Sequence, residues 1–274
     1  MITSATPRVS RPLRALLLCG VAAIAIAGCS STSPQRQASV RTPDYSGLSR
    51  PQAQMTVAEL GDAYRARPKE RVTIIHYSAA LRSAGQADQA IAVLEEGMAV
   101  HPQDPEIRIA YAKALTAGGR LQQALTILDD TIRPDRPDWN ALSVKGAVLD
   151  QMGRNAEARA VYTQALLIAP GEPSLEANLG LSYAMTNDLP AAELHLKKAA
   201  AMPGATSQIR QNLALVIGLQ GRFDESRGLL QRDLAPDQVE ANISYIRSLL
   251  TQQNRWNQIQ SDGPAMGGPL LDPQ

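Results

Sequence analysis

The chain has 274 residues, 44% of them apolar but only 4% aromatic, and its 27 basic and 26 acidic side chains give a formal charge of +1. Large aromatic side chains carry much of a compact β core, so their scarcity beside many Ala and Leu favours close-packed helices over a sandwich or barrel. The near balance of charge, with no basic stretch interleaved with aromatics, argues against nucleic acid as a partner.

The first segment reads as a targeting signal. Arg8, Arg11 and Arg14 precede an apolar run from Ala15 to Ala27, and no acidic residue occurs before Asp44. A basic n-region and a short h-region in that order form a secretory signal, too short for a comfortable transmembrane helix. Ile26-Ala27-Gly28-Cys29 follows, and it resembles the lipobox of bacterial lipoproteins. That resemblance implies a signal peptide over residues 1–28 and a diacylglycerol on Cys29, which becomes the new N-terminus. The alternative is an uncleaved apolar anchor with an incidental Cys. Cys19 would leave with the signal, so the mature chain would hold no intramolecular disulfide. Each buried methylene contributes about 0.8 kcal/mol of membrane affinity, so several acyl chains on one residue make a durable anchor. By the same resemblance, Ser30 directly after the Cys implies a lipid-anchored protein on the periplasmic face of the bacterial outer membrane. No cofactor beyond this covalent lipid is expected.

Residues 29–54 are rich in Ser, Thr, Pro, Gln and Arg and poor in large apolar side chains, which predicts a disordered tether. A flexible chain of that length reaches roughly 25–30 Å.

From there an internal period of 34 organises the sequence. Gly85, Gly119, Gly153 and Gly221 fall on one register, with Asn187 in the remaining slot. Gly and Asn tolerate the turn between antiparallel helices. Small residues recur five places later at Ala90, Ala124, Ala158, Ala192 and Ser226, and seven places earlier at Ser78, Ala112, Gly146, Gly180 and Ala214. Large residues recur between them, at Leu81, Leu115, Leu149, Tyr183 and Ile217 on a first helix and at Leu94, Leu128, Tyr162, Leu196 and Leu230 on a second. Their spacing makes each helix amphipathic. This is the tetratricopeptide repeat pattern, so the fold expected is an all-α, superhelical tetratricopeptide solenoid over residues 55–259. Full repeats would cover 71–104, 105–138, 139–172, 173–206 and 207–240. A half-repeat over 55–70 and a capping helix over 241–259 would close the two ends. The Gly- and Pro-rich residues 260–274 would be a disordered tail.

Departures from the pattern are few. The Pro that ends a repeat is in place at Pro102 and Pro170 but early at Pro134, Pro203 and Pro236. The large residue near the start of the first helix slips to Ile107, Leu175 and Ile209, leaving Arg108, Glu176 and Arg210 in its slot. Lys145 in an apolar slot suggests looser packing in the third pair.

Catalysis finds no support. There is no phosphate-binding Gly loop, zinc-type Cys pair or His-Glu-x-x-His motif. Gly180-Leu181-Ser182-Tyr183-Ala184 comes nearest to a nucleophile elbow but lies mid-helix. His76, His101 and His195 are too scattered for a shared metal, and adjacent Asp129 and Asp130 diverge on a helix. An enzyme-regulatory subunit or weak hydrolase is therefore the minor reading.

What remains is a docking surface. The register places Ile75, Ala79, Ile109, Lys113, Leu181, Ala184, Met185, Leu215 and Leu219 on the face of the first helices, which lines the groove of such arrays. An amphipathic or extended apolar segment of a partner protein would fit it, unless inter-repeat packing or the terminal helix covers it. Of the basic side chains that clamp C-terminal carboxylates in chaperone-binding members of the superfamily, only Lys113 has a counterpart.

The lipobox, the tether, a Leu60-Gly61-x-x-Tyr64 helix ending at Pro68, Ala79-Ala80-Leu81-Arg82-x-x-Gly85 and Gln89-Ala90-Ile91-Ala92-Val93-Leu94 together resemble the TadD family, tetratricopeptide lipoproteins of the Tad (Flp) pilus system. That resemblance implies a scaffold that assembles or localises the outer-membrane secretin through which the pilus is extruded. The pilotins of type IV pili and lipoprotein adaptors of peptidoglycan enzymes share the architecture and stay open as alternatives.

Overall fold

The structure, a computed structural model, describes Tyr45 and residues 48–262. Cys29, the signal, most of the expected tether and nearly all of the tail lie outside the described residues, which form twelve helices and no named strand. A 17-residue helix, α1 (Arg50–Ala66), precedes five antiparallel pairs. These are α2 and α3 (Arg71–Ser83, Ala87–Val100), α4 and α5 (Pro105–Ala117, Leu121–Thr131) and α6 and α7 (Trp139–Gln151, Asn155–Ile168). Then come α8 and α9 (Pro173–Met185, Leu189–Ala201), α10 and α11 (Ser207–Leu219, Phe223–Leu230), and the terminal α12 (Pro236–Asp262).

The turn inside each pair is dictated by one backbone geometry. Gly85, Gly119, Gly153 and Gly221 have φ of 72–81° and Asn187 has φ of 60°, the left-handed region that closes a Schellman motif. Beyond each, the next N–H reaches back five residues, as from Gln86 to the Leu81 carbonyl at 2.8 Å and from Arg154 to the Leu149 carbonyl at 2.9 Å. Asp104, Asp138, Glu172 and Thr206 cap the following first helices with side-chain oxygens, which satisfies amides that have no partner within the helix.

Packing follows the register. Ala90, Ala124, Ala158, Ala192 and Ser226 are fully buried, as are Leu94, Leu128, Tyr162, Leu196 and Leu230 opposite them. Where the second-helix residue is a tyrosine, the first helix carries Gly146, whose missing Cβ would lie 2.4 Å from the Tyr162 ring. Successive first helices also touch, α2 with α4 through to α10 with α12, so the apolar core continues along the stack.

Several boundaries differ from the sequence expectations. Helix α1 begins at Arg50, inside the expected tether, because Ser49 donates its N–H to Gln52 Oε1 at 2.9 Å and Pro51 favours the first turn. Helix α12 begins at Pro236 and runs to Asp262, not over 241–259; this proline opens a helix instead of closing a repeat. Lys145 does not mark looser packing: it pairs with Asp129 at 2.6 Å and ties the second pair to the third.

The three charged residues in the displaced slot have a common role. Ile107, Leu175 and Ile209 turn inward and are buried. Arg108 then bonds Thr131 Oγ1 at 2.9 Å, Glu176 accepts from His195 Nδ1 at 2.8 Å and from Lys198, and Arg210 bonds Asp233 Oδ2 at 2.7 Å. Each latch joins the first helix of a pair to its own second helix or the turn after it.

Candidate docking face

The first-helix face divides into three zones. At its N-terminal end, Ile75, Ala79 and Ile109 are buried, so these three do not line an open groove. Branched side chains at this position fill the seam between successive first helices, and Ile75 and Ile109 belong to one buried cluster. Beside them, Lys113 on α4 is half-buried and donates to Asn140 Oδ1 on α6 at 3.2 Å. Burial pushes its amine pKa down, Arg82 adds to this, and Asp138 opposes it. Arg82 escaped the sequence reading, although the same register places it on this face.

The middle zone is polar and closed. Asp150, Ser182 and Tyr162 are buried together, with Ser182 Oγ donating to Asp150 Oδ1 at 2.7 Å and Tyr162 Oη donating to Oδ2 at 3.1 Å. Asn155 adds a bond to Oδ1 at 2.8 Å. Burial pushes the Tyr162 hydroxyl pKa up, and the Asp150 carboxylate pushes it further. Ser182 is thus a helix-bridging donor fully enclosed by the fold. Three donors on one carboxylate make a satisfied network that fixes the third pair against the fourth.

The C-terminal zone is apolar. Leu181 and Ala184 on α8 are half-buried and Met185 is 59% exposed. Leu215 and Leu219 on α10 are half-buried because they pack with the cluster that α12 supplies through Val239, Ile243 and Ile246. The terminal helix therefore covers part of the expected groove and leaves the α8 portion open. Tyr183 takes no place in the deep core: its ring stacks on His195 with centroids 5.4 Å apart, and the Arg159 guanidinium lies 4.8 Å from its centroid. On the second helices, Leu167 and Leu194 are also exposed, which no periodicity argument had singled out.

The histidines stay apart. His101 Nε2 contacts the Lys69 carbonyl, His195 contacts Glu176, and His76 Nε2 is buried without a hydrogen-bond partner. Among the described residues no group of three His, Cys, Asp or Glu could hold a metal ion, and no helix is long and apolar enough to cross a membrane.

Comparison with known proteins agrees with this geometry. Two sequence models described as tetratricopeptide repeat match residues 81–146 and 144–206. No curated protein matches the chain. Among solved structures, a thermophilic tetratricopeptide protein of Thermus thermophilus is 23% identical with a TM-score of 0.56, covering 63% of this chain and 96% of that one. PilW, described as a widely conserved type IV pilus biogenesis factor, is 16% identical with a TM-score of 0.52, covering 67% of this chain and 86% of that one. The Cut9–Hcn1 hetero-tetramer of the APC/C gives 14% identity and a TM-score of 0.56, over 76% of this chain and 40% of that one. The chain is a tetratricopeptide-repeat solenoid. Neither the repeat models nor these neighbours indicate an enzymatic family.

Proposed function

We propose that the chain is a membrane-anchored scaffold that docks protein partners during assembly of a Tad (Flp) pilus secretion apparatus, aiding assembly or localisation of its secretin. The observation that carries the reading is the combination of a tetratricopeptide-repeat solenoid with a lipobox-like Cys29 ahead of it. A solenoid offers a long docking face, and a lipid anchor holds that face near a membrane. Cys29 carries the lipid and Ser30 directs the protein to the periplasmic face of the outer membrane. Co-purification of the secretin with the full-length chain from membranes of piliated cells tests the assignment. Pilus loss and mislocalised secretin on deletion of the chain would accompany it; normal secretin assembly in the deletion strain would reject it.

The second reading is an adaptor for another envelope complex, a type IV pilus pilotin or a peptidoglycan-enzyme adaptor. The fold shared with PilW favours the pilotin form. The genes beside this one and the identity of the captured partner separate the two.

A further inference from the structure

The open end of α8 carries a sulfur with a polar neighbour. Met185 is the last residue of α8 and 59% exposed, and Asn155, the first residue of α7, places its Nδ2 4.0 Å from the Met185 Sδ. The same nitrogen donates to Asp150 Oδ1 at 2.8 Å, so one N–H is well used and the other faces only a thioether. A thioether sulfur is a weak acceptor, whereas a sulfoxide is polar and presents an oxygen. An oxygen added on the side facing Asn155 lies between the two atoms, in ordinary hydrogen-bond range of the amide. The backbone around the sulfur is held in place. Arg159 on α7 bonds the Ser182 carbonyl and Thr186 Oγ1, both at 3.3 Å, and Ser182 Oγ donates to Asp150 at 2.7 Å, which ties the end of α8 to the third pair. The other described methionines differ. Met98, Met152 and Met202 are half-buried, and Met55 is 65% exposed but makes no hydrogen bond among the described residues.

We propose that Met185 is a reversible oxidation site, at which hydrogen peroxide converts the thioether to a sulfoxide whose oxygen Asn155 receives. A sulfur lone pair bonds one peroxide oxygen as the O–O bond breaks. The other oxygen leaves as hydroxide and takes the remaining proton, so the products are the sulfoxide and water, with sulfur oxidised and peroxide reduced. The Asn155 N–H donates to the transferred oxygen as negative charge builds on it. The two lone pairs of a thioether lead to opposite sulfoxide epimers, so a donor on one side selects one of them. Oxidation makes the exposed end of α8 polar and adds a bond between α7 and α8. A sulfoxide reductase, which acts on one epimer, restores the apolar state. None of this depends on the identity of a docking partner.

The full-length chain in detergent, treated with dilute hydrogen peroxide and then digested, tests the site by peptide mass spectrometry. Met55 and Met185 should gain oxygen before Met98, Met152 and Met202. Digests treated with a reductase specific for either epimer then report the epimers at each position, free of any effect of the fold on the reductase. At Met185 one epimer should exceed the other by about three- to tenfold, the span that one hydrogen bond gives, while Met55 stays near an even mixture. Oxidation of the chain unfolded in urea should give an even mixture at both. Asn155→Leu keeps the bulk of the side chain and removes its donor, so it should bring Met185 to an even mixture, with circular dichroism checking that the variant folds. Shielding of one face by bulk alone would leave the bias in that variant. An even mixture at Met185 in the folded chain, a bias that survives Asn155→Leu or urea, or oxidation of Met185 no faster than that of the half-buried methionines would overturn the inference.

Discussion

Single residues set how closely paired helices approach. A Cβ on Gly146 would lie 2.4–2.8 Å from three ring atoms of Tyr162, with no flexible side-chain end to move aside. Gly146→Ala should therefore lower the unfolding free energy by about 1–3 kcal/mol in chemical denaturation. Combining it with Tyr162→Leu recreates the Ala112 and Leu128 pair of the second repeat, so the double variant should lose less than the sum of the two single losses. Additive losses would mean the two residues do not meet. Asn187 holds a left-handed conformation at φ 60° that glycine adopts without strain. Asn187→Gly should raise the unfolding free energy by about 0.5–1 kcal/mol in chemical denaturation, whereas the same change in a helix interior destabilises.

At the scale of elements, charged latches join successive helices. Burial pushes the Glu193 carboxyl pKa up, but hydrogen bonds from Lys197, Arg222 and Gln220 outweigh it and hold it at about 2. The folded-state value is depressed, so the contribution is present above the ordinary value of 4.5 and is lost as pH falls toward 2. Glu193→Gln should flatten that part of the stability profile below pH 4.5 and leave the alkaline side unchanged, as followed by circular dichroism across a pH series. An unchanged acid limb would show that this latch contributes nothing.

The turn register was legible in sequence because only Gly or Asn suits the five left-handed positions, and the small residues facing Leu94 or Tyr162 were legible for an equally local reason. Long-range consequences were not. Periodicity names the face on which Ile75 and Ile109 lie, yet how far the next first helix covers that face depends on packing between repeats. The partners of Arg108, Glu176 and Arg210 lie 19 to 23 residues away, beyond the reach of helical spacing. The earlier start of α1 did have a signal, the Ser49 and Gln52 capping pair, which the low apolar content around it obscured.

For the whole molecule, the proposed function assigns location to the lipid anchor and recognition to the solenoid. On the proposed reading Cys29 carries the lipid, so Cys29→Ala should release the chain from the membrane fraction, since an unlipidated solenoid would keep no comparable affinity for a bilayer. Persistence of the variant in membranes after a salt wash would point to another anchor. We propose that an anchored tetratricopeptide face docks components of a pilus secretion apparatus. Crosslinking in native membranes under piliating conditions, followed by identification of the captured proteins, tests it most directly. The account predicts a secretin or another pilus assembly component joined to this chain; capture of only unrelated envelope proteins would contradict it.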